Sequence, residues 1–222
     1  MSNCALEKHL LLRERGDALL FYINSSSVIV GRNQSPPAEA DFDYCRRLGI
    51  PVIRRISGGG TVYHDAGNIN FAFITDKGEL SVFDPEILRP IVEALARLGI
   101  VAQVGVRREI SAGGRKISGT AAFVTGVRQL FHGTLLYDTD LDAMRKALQG
   151  DTSCRGRKVA SVPSEVVNLA ELLPQKGTPQ DFLNGLLDFF SRYYDTSVVE
   201  IAQTEAETLR NDPELRPEVI VL

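Results

Sequence analysis

Two stretches of the sequence carry residue types suited to holding anions. In IRRISGGGTVYHDAGNINFAF (53–73), Arg54 and Arg55 precede Gly58, Gly59 and Gly60, and Asn68 follows. In GGRKISGTAAF (113–123), Lys116 stands between glycines and small residues, and LFHGTLL (130–136) adds His132 and Gly133. Each glycine in regular structure costs roughly 0.5–1 kcal/mol relative to alanine. The gain that offsets this is close approach, because main-chain N–H groups can then point at phosphate or carboxylate oxygens. Alone, the triple glycine would read as a hairpin turn. Arginines beside it shift the reading to an anion cradle. A lone strand lysine is commonly an edge device against aggregation. Opposite such a cradle, Lys116 instead suits a fixed cation that holds a carboxylate and a phosphate oxygen together and neutralises charge as they react.

Composition bounds the chemistry. The 222 residues fit one large domain with a substantial core, and 44% hydrophobic with 24% charged residues is ordinary for a globular protein. A net charge of −3 and a pI near 5.7 argue against a nucleic-acid surface, while leaving room for a local basic pocket. The N-terminus lacks a basic segment followed by a long apolar run, so no membrane association and a cytoplasmic location are expected. Cys4, Cys45 and Cys154 form no CxxC pair and read as reduced thiols. His64 and His132 lack a third ligand at suitable spacing, which favours hydrogen-bonding roles and no metal site. Asp65 reads as a turn-fixing carboxylate.

The elements that must position these residues are mostly strands. A helix is expected over 4–15, then a strand pair over 18–24 and 27–33, a helix over 35–49, and strands at IPVIRRI, TVYH and NINFAFIT. The apolar stripe Ile87, Leu88, Ile91, Val92, Leu95, Leu98 predicts a helix over 84–98, kinked by Pro90. Strands follow over 101–110, 115–125 and 128–138, then a helix over 140–149, an exposed and mobile loop over 151–166, helices at VNLAELL and 179–194, a last strand at SVVEI, and a charged tail from 204. Without regular βαβ alternation or repeats, the pattern is α+β: a mixed, largely antiparallel β-sheet flanked by helices. Neither GxGxxG nor GxxxxGK[ST] occurs.

Taken together, RRISGGGTVYHDAGNINF (54–71), GGRKISGTA (113–121), FHGTLL (131–136), SVIVGRNQ (27–34) and the weaker VNLAELLP (167–174) resemble the lipoate–protein ligase family in order and spacing. The resemblance implies the catalytic fold shared with biotin protein ligases and related to class II aminoacyl-tRNA synthetases, here as a single domain over 1–222. It implies that lipoate and ATP give lipoyl-adenylate and pyrophosphate, with Mg²⁺ on the phosphates, and that a lysine amine on a carrier then displaces AMP. By family position Arg55, Ser57, Gly58, Gly59 and Gly60 line the lipoyl and phosphate region, Asn68 meets the nucleotide, and Lys116 is the catalytic cation. Thr61, Val62, Tyr63, His64, Arg108, Glu109, Gly119, Thr120, Ala121, His132 and Gly133 complete the expected site. Val62, Tyr63, Ala121 and the Leu135 region are expected to form an apolar slot for the aliphatic chain. Expected acceptors are the lipoyl domains of 2-oxoacid dehydrogenase E2 subunits and the glycine-cleavage H protein.

The sequence departs from the family at named positions. Arg108-Glu109 stands where an Asn-Asp pair is usual, Phe123 where some members have arginine, and the loop at Val162–Glu165 lacks two arginines. The chain also stops near the end of the catalytic domain, which raises an accessory C-terminal-domain protein as a partner. Two other readings stay open. Cys154, in the basic run CRGRK, suggests an octanoyl or lipoyl transferase working through a thiol without ATP. The Arg108-Glu109 departure suggests a non-catalytic protein that binds lipoate or a lipoyl carrier.

Overall fold

The computed structural model describes residues 2–78, 80–215 and 217–220. Its elements begin with α1 (Ser2–Leu12), β1 (Ala18–Ile23), β2 (Ser27–Val30), α2 (Pro36–Glu39), α3 (Phe42–Arg47), β3 (Val52–Arg54), β4 (Val62–His64) and β5 (Asn68–Asp76). They continue with α4 (Arg89–Arg97), β6 (Ala102–Val104), β7 (Ile110–Ala112), β8 (Arg115–Ser118), β9 (Thr120–Val124) and β10 (Arg128–Leu136). Then come α5 (Leu141–Ala147), α6 (Pro179–Tyr193), α7 (Gln203–Asn211) and β11 (Glu218–Ile220). Among the described residues three sheets result, ordered β1-β5-β10-β9, β11-β3-β2-β4 and β6-β7-β8, and their strand pairings are antiparallel except β2 with β3. The expected mixed sheet and α+β class are therefore present, spread over three sheets.

Strand periodicity assigns the two faces of the first sheet. On β5, Ile69, Phe71 and Phe73 join Ile91, Leu95, Phe182, Leu186 and Phe190 of α4 and α6 in the main core. The alternate residues Ala72 and Ile74 pack with Leu11 of α1 and with Leu130. Asn70 continues that second face, with Tyr22 and Thr134 opposite it, and His132 lies opposite Ala72 and Ala121. One face of the sheet is thus a dry core, and the other carries polar side chains under α1.

Several expected elements differ. Strands β1 and β2 do not pair with each other; β1 joins β5 and β2 enters the second sheet between β3 and β4. The helix over 35–49 breaks at Ala40, which is extended, and Asp41 caps α3 by accepting from the Tyr44 N–H at 2.8 Å. Pro90 does not kink a helix. It sits in the first turn of α4, where its missing N–H costs nothing, after a 3₁₀ turn at Pro85–Leu88. The strand over 101–110 is interrupted by a loop at Gly105–Glu109, and the one over 115–125 changes sheets at Gly119. VNLAELL holds only a 3₁₀ turn at Leu169–Glu171. SVVEI forms no strand: Val199 is 78% exposed, and β-branched composition without a strand partner to pack against does not make one. The tail docks instead, with β11 on β3 and Arg13, just past α1, bridging Asp212 and Glu214 at 2.8 and 2.6 Å.

Candidate active site

A cavity of about 470 Å³ lies over the polar face of the first sheet. Its first wall is the glycine loop after β3. Arg55, 8% exposed, donates from Nε to Ser57 Oγ (2.9 Å), from Nη1 to the Ile29 carbonyl (2.9 Å) and from Nη2 to the carbonyls of Gly58 (2.5 Å) and Gly60 (2.7 Å). Four of its five N–H groups are thus used by the protein, three on the loop itself and one tying it to β2. Gly59 takes φ +82°, a conformation disfavoured for any residue with a Cβ, and its carbonyl packs so closely on Gly31 that a Cβ there would approach it to 2.2 Å. Burial pushes the Arg55 guanidinium down to about 10, so it stays charged near neutral pH.

From Ser57 a hydrogen-bonded line crosses the cavity floor. Ser57 Oγ lies 2.7 Å from His132 Nε2, His132 Nδ1 lies 3.0 Å from Glu7 Oε2, and Tyr22 donates to Glu7 at 2.8 Å. Asn24 Nδ2 meets His64 Nδ1 at 2.9 Å. Burial above all, then the charges of Arg55 and His132, lowers His64 to about 3, so the imidazole is neutral and accepts from Asn24. Asp65 accepts from the N–H groups of Gly67 (2.9 Å) and Asp140 (2.8 Å), a loop-fixing role as expected.

The second wall comes from the β6-β7-β8 sheet and is built differently. Lys116 on β8 pairs through its backbone with Glu165 and Val167, but its ammonium makes no hydrogen bond or ion pair with any described residue; its Nζ rests over Gly119, where a Cβ would meet it at 3.4 Å. Burial lowers its pKa from the ordinary lysine value, against the opposing pull of Glu109. Arg107, Arg108 and Glu109 line the cavity from the loop before β7. The roof is the segment around Ser161, whose Oγ accepts from Gln34 Nε2 (3.0 Å) and the Thr61 N–H (2.9 Å) while its N–H reaches Glu39 (3.2 Å). The loop expected to be free is strapped down at its centre.

Among the expected residues, Arg55, Gly58 to Gly60, Thr61, Val62, His64, Arg108, Glu109, Lys116, Gly119, Thr120, Ala121, His132 and Gly133 line this cavity. Ser57, Tyr63 and Asn68 do not. Tyr63 points from β4 to the opposite side of Val62 and His64, into the core with Val28 and Val52, and Leu135 lies in the main core. Ser57 is fully buried beneath the loop, and Asn68 lies behind Asn70, to which its Nδ2 donates at 3.0 Å. The apolar slot is made instead by Ile29, Val62, Ala121, Ala122 and Phe83. Cys4, Glu7, Tyr22 and Asn70 also line the cavity and were not anticipated. The alternation Tyr22, Asn70, His132 was readable; the arrival of α1 from the N-terminus was not. Cys154 is exposed outside this lining, with its thiol 3.6 Å from Asp151. The cavity thiol is Cys4, pushed up to about 12 by burial and Glu7, and so held protonated.

The family described as the lipoyl protein ligase A/B catalytic domain matches residues 1–191. The chain belongs to this family. A lipoate-protein ligase of Bacillus subtilis, LplJ, is 40% identical over 189 residues, covering 83% of this chain and 57% of its own length. The chain therefore spans little more than half of that relative. Among solved structures, the Thermoplasma acidophilum protein Ta0514 with bound lipoic acid aligns with a TM-score of 0.75 at 26% identity, covering 94% of this chain and 86% of that one. A lipoate-protein ligase A bound with ATP aligns at 0.74 and 27%, with the same coverage. A bi-partite lipoate protein ligase of Thermoplasma acidophilum, described with its E2 lipoyl domain, aligns at 0.74 and 25%, covering 94% and 84%. The fold expected from the motifs is that of its relatives.

Proposed function

We propose that this chain activates lipoate with ATP and transfers the lipoyl group to a lysine of a carrier protein. The observation that supports this most is Lys116: a cation in a largely desolvated wall, free of protein partners, facing a glycine loop whose own charges are already used. Such a cation is costly unless an anion joins it, and two anions must meet for adenylation. In the first step a lipoate carboxylate oxygen bonds to the α-phosphorus, the bond to the β-phosphate bridge breaks, and pyrophosphate leaves with that electron pair. Lys116 holds the carboxylate and an α-phosphate oxygen together. In the second step the acceptor lysine's nitrogen bonds to the acyl carbon, AMP leaves with the C–O pair, and the amine gives up a proton.

The loop N–H groups at Gly58 to Gly60 suit the phosphates, with Thr61 fixing the loop's end through Gln34 and Ser161, and Ile29, Val62, Ala121 and Ala122 suit the aliphatic chain. Mg²⁺ fits this donor set as a companion of the nucleotide, because the cavity offers two carboxylates, Glu7 and Glu109, and no cluster of three metal-binding side chains occurs among the described residues. When bound it would offset phosphate charge; of the two carboxylates, Glu7 is occupied by Tyr22 and His132, and Glu109, with one oxygen on the Arg107 N–H, would offer it the other. The proposed acceptors are lipoyl domains of E2 subunits and the glycine-cleavage H protein, in line with the relative described with an E2 lipoyl domain. A cytoplasmic site of action is part of the proposal; among the described residues no helix is long and apolar enough to cross a membrane.

The test is to incubate the purified chain with ATP, Mg²⁺, lipoate and an apo lipoyl domain and to follow the acceptor's mass. Modification with all components supports the full reaction. Modification only from synthetic lipoyl-adenylate would place activation with an accessory chain. Modification from an octanoyl carrier without ATP, lost in Cys154→Ala, would overturn the ligase reading, and no modification from any donor would overturn the enzymatic one.

A further inference from the structure

The loop between β6 and β7 spends stability on one side chain. It is closed by the Gly105 N–H on the Glu109 carbonyl (2.8 Å) and the Arg108 N–H on the Gly105 carbonyl (2.9 Å). This closure puts Arg108 at φ +62°, one of two non-glycine residues with positive φ among the described residues. Glycine or asparagine would sit there with less strain. Thr120 Oγ1 donates to the Arg108 carbonyl at 2.9 Å, which ties the strained residue to β9, next to Gly119 and the Lys116 ammonium that rests on it. The loop is therefore fixed relative to Lys116.

The side chain gains little from the protein in return. The Arg108 guanidinium lies 5.4 Å from the ring centroid of Phe83, a residue 61% exposed at the cavity edge, and its Nε is buried without a hydrogen-bond partner. It forms no ion pair with any described carboxylate. Glu109, the nearest carboxylate in sequence, turns away to accept the Arg107 N–H at 3.0 Å. A buried unpaired donor on a guanidinium that faces a cavity calls for an acceptor of negative charge from the ligand. The planar fork of arginine suits phosphate oxygens in pairs. Exposed Arg107 and Phe83 mark the outer end of the cavity, whereas Lys116 lies half-buried on the wall behind them.

We infer that Arg108, steadied by stacking on Phe83, binds the pyrophosphate end of the nucleotide at the cavity mouth and holds it as it leaves. This rests on the proposed adenylation, with the α-phosphate at Lys116, and deepens it: Lys116 serves the oxygens that react and Arg108 those that depart. The claim concerns the first step alone, since the second has no pyrophosphate.

The experiment compares two half-reactions of the intact chain: lipoate-dependent exchange of pyrophosphate into ATP, and transfer from synthetic lipoyl-adenylate to an apo lipoyl domain. Calorimetry with magnesium pyrophosphate supplies a readout independent of turnover. Arg108→Asn and Arg108→Ala are expected to raise the KM for ATP and pyrophosphate about tenfold to a hundredfold, the scale of one charge-assisted contact, and to weaken pyrophosphate binding alike. Exchange should fall at least about tenfold more than transfer. Arg108→Lys should recover part of the loss. Arg108→Asn should also raise Tm, because the left-handed backbone suits asparagine, so stability and exchange move in opposite directions; a residue with only a structural role would move them together. Equal losses in both half-reactions, or unchanged pyrophosphate affinity, would overturn the assignment while leaving the ligase reading standing. A wild-type chain that transfers but does not exchange would overturn it too, and one silent in both would sink the ligase reading and this inference with it.

Discussion

The two walls of the cavity solve opposite problems. In the glycine wall every charge is spent internally: Arg55 holds Ser57, Ile29, Gly58 and Gly60, and the line from Ser57 through His132 and Glu7 to Tyr22 is closed. In the lysine wall the charges are left over: among the described residues the Lys116 ammonium has no hydrogen-bond or ion-pair partner, Arg108 Nε is unpaired and the Arg108 backbone is strained. Residues of the same sign, chosen from sequence as one anion site, thus divide into a scaffold and a working surface. Buried groups satisfied by the protein fix geometry, and those left unsatisfied wait for a ligand.

The comparison breaks most plainly at its two principal cations. Lys116→Ala should lower the adenylation rate by about 10²–10³-fold, as loss of a preorganised charge-stabilising group does, with little change in Tm because no side-chain hydrogen bond or ion pair with a described residue is lost. Adenylate formation and thermal unfolding, measured on one preparation, check both halves. Arg55→Ala should do the reverse in kind. It takes the Arg55 donors from the carbonyls of Ile29, Gly58 and Gly60 and leaves the Ser57 hydroxyl with His132 alone, costing about 2–4 kcal/mol in denaturant unfolding, with activity falling as the loop loses its shape. If Lys116→Ala proves the more destabilising of the two, the division into scaffold and working surface fails.

Much of this division was hidden in the sequence, and particular residues show why. The triple glycine and Lys116 were legible because their types are poor choices for any other purpose where they stand. The alternation of β4 already separated Val62 and His64 from Tyr63; reading the motif as a block rather than with period two placed Tyr63 on the wrong side. Arg55 was correctly located and its partners were not, since a guanidinium next to glycines reads as an anion ligand until the carbonyls around it are seen. Glu7 and Cys4 had no local signal at all: the partner of Glu7 lies 125 residues away, and a contact of that separation is a property of the fold. Gly119 marked the change of sheet between β8 and β9, yet a single glycine within a strand pattern also fits a bulge.

The smallest effect belongs to His64 and sharpens the scaffold side. Burial first, and then Arg55 and His132, lower its pKa to about 3 in the native protein from 6.5 for the ordinary imidazole. Between those values the unfolded chain binds a proton that the native protein refuses, so stability is full above about pH 6.5 and declines as pH falls toward 3. At pH 5 the contribution amounts to about 2 kcal/mol. His64→Gln retains a side chain that can bond Asn24 and removes the titration. Urea unfolding at pH 7.5 and pH 5 should therefore show the wild type losing about 2 kcal/mol more than the variant across that interval. Equal losses would mean that His64 accepts a proton in the folded state, with Asn24 turned to present its oxygen. The glycine wall would then respond to acid instead of being fixed, and a neutral Nε2–H facing the cavity would no longer be part of its surface.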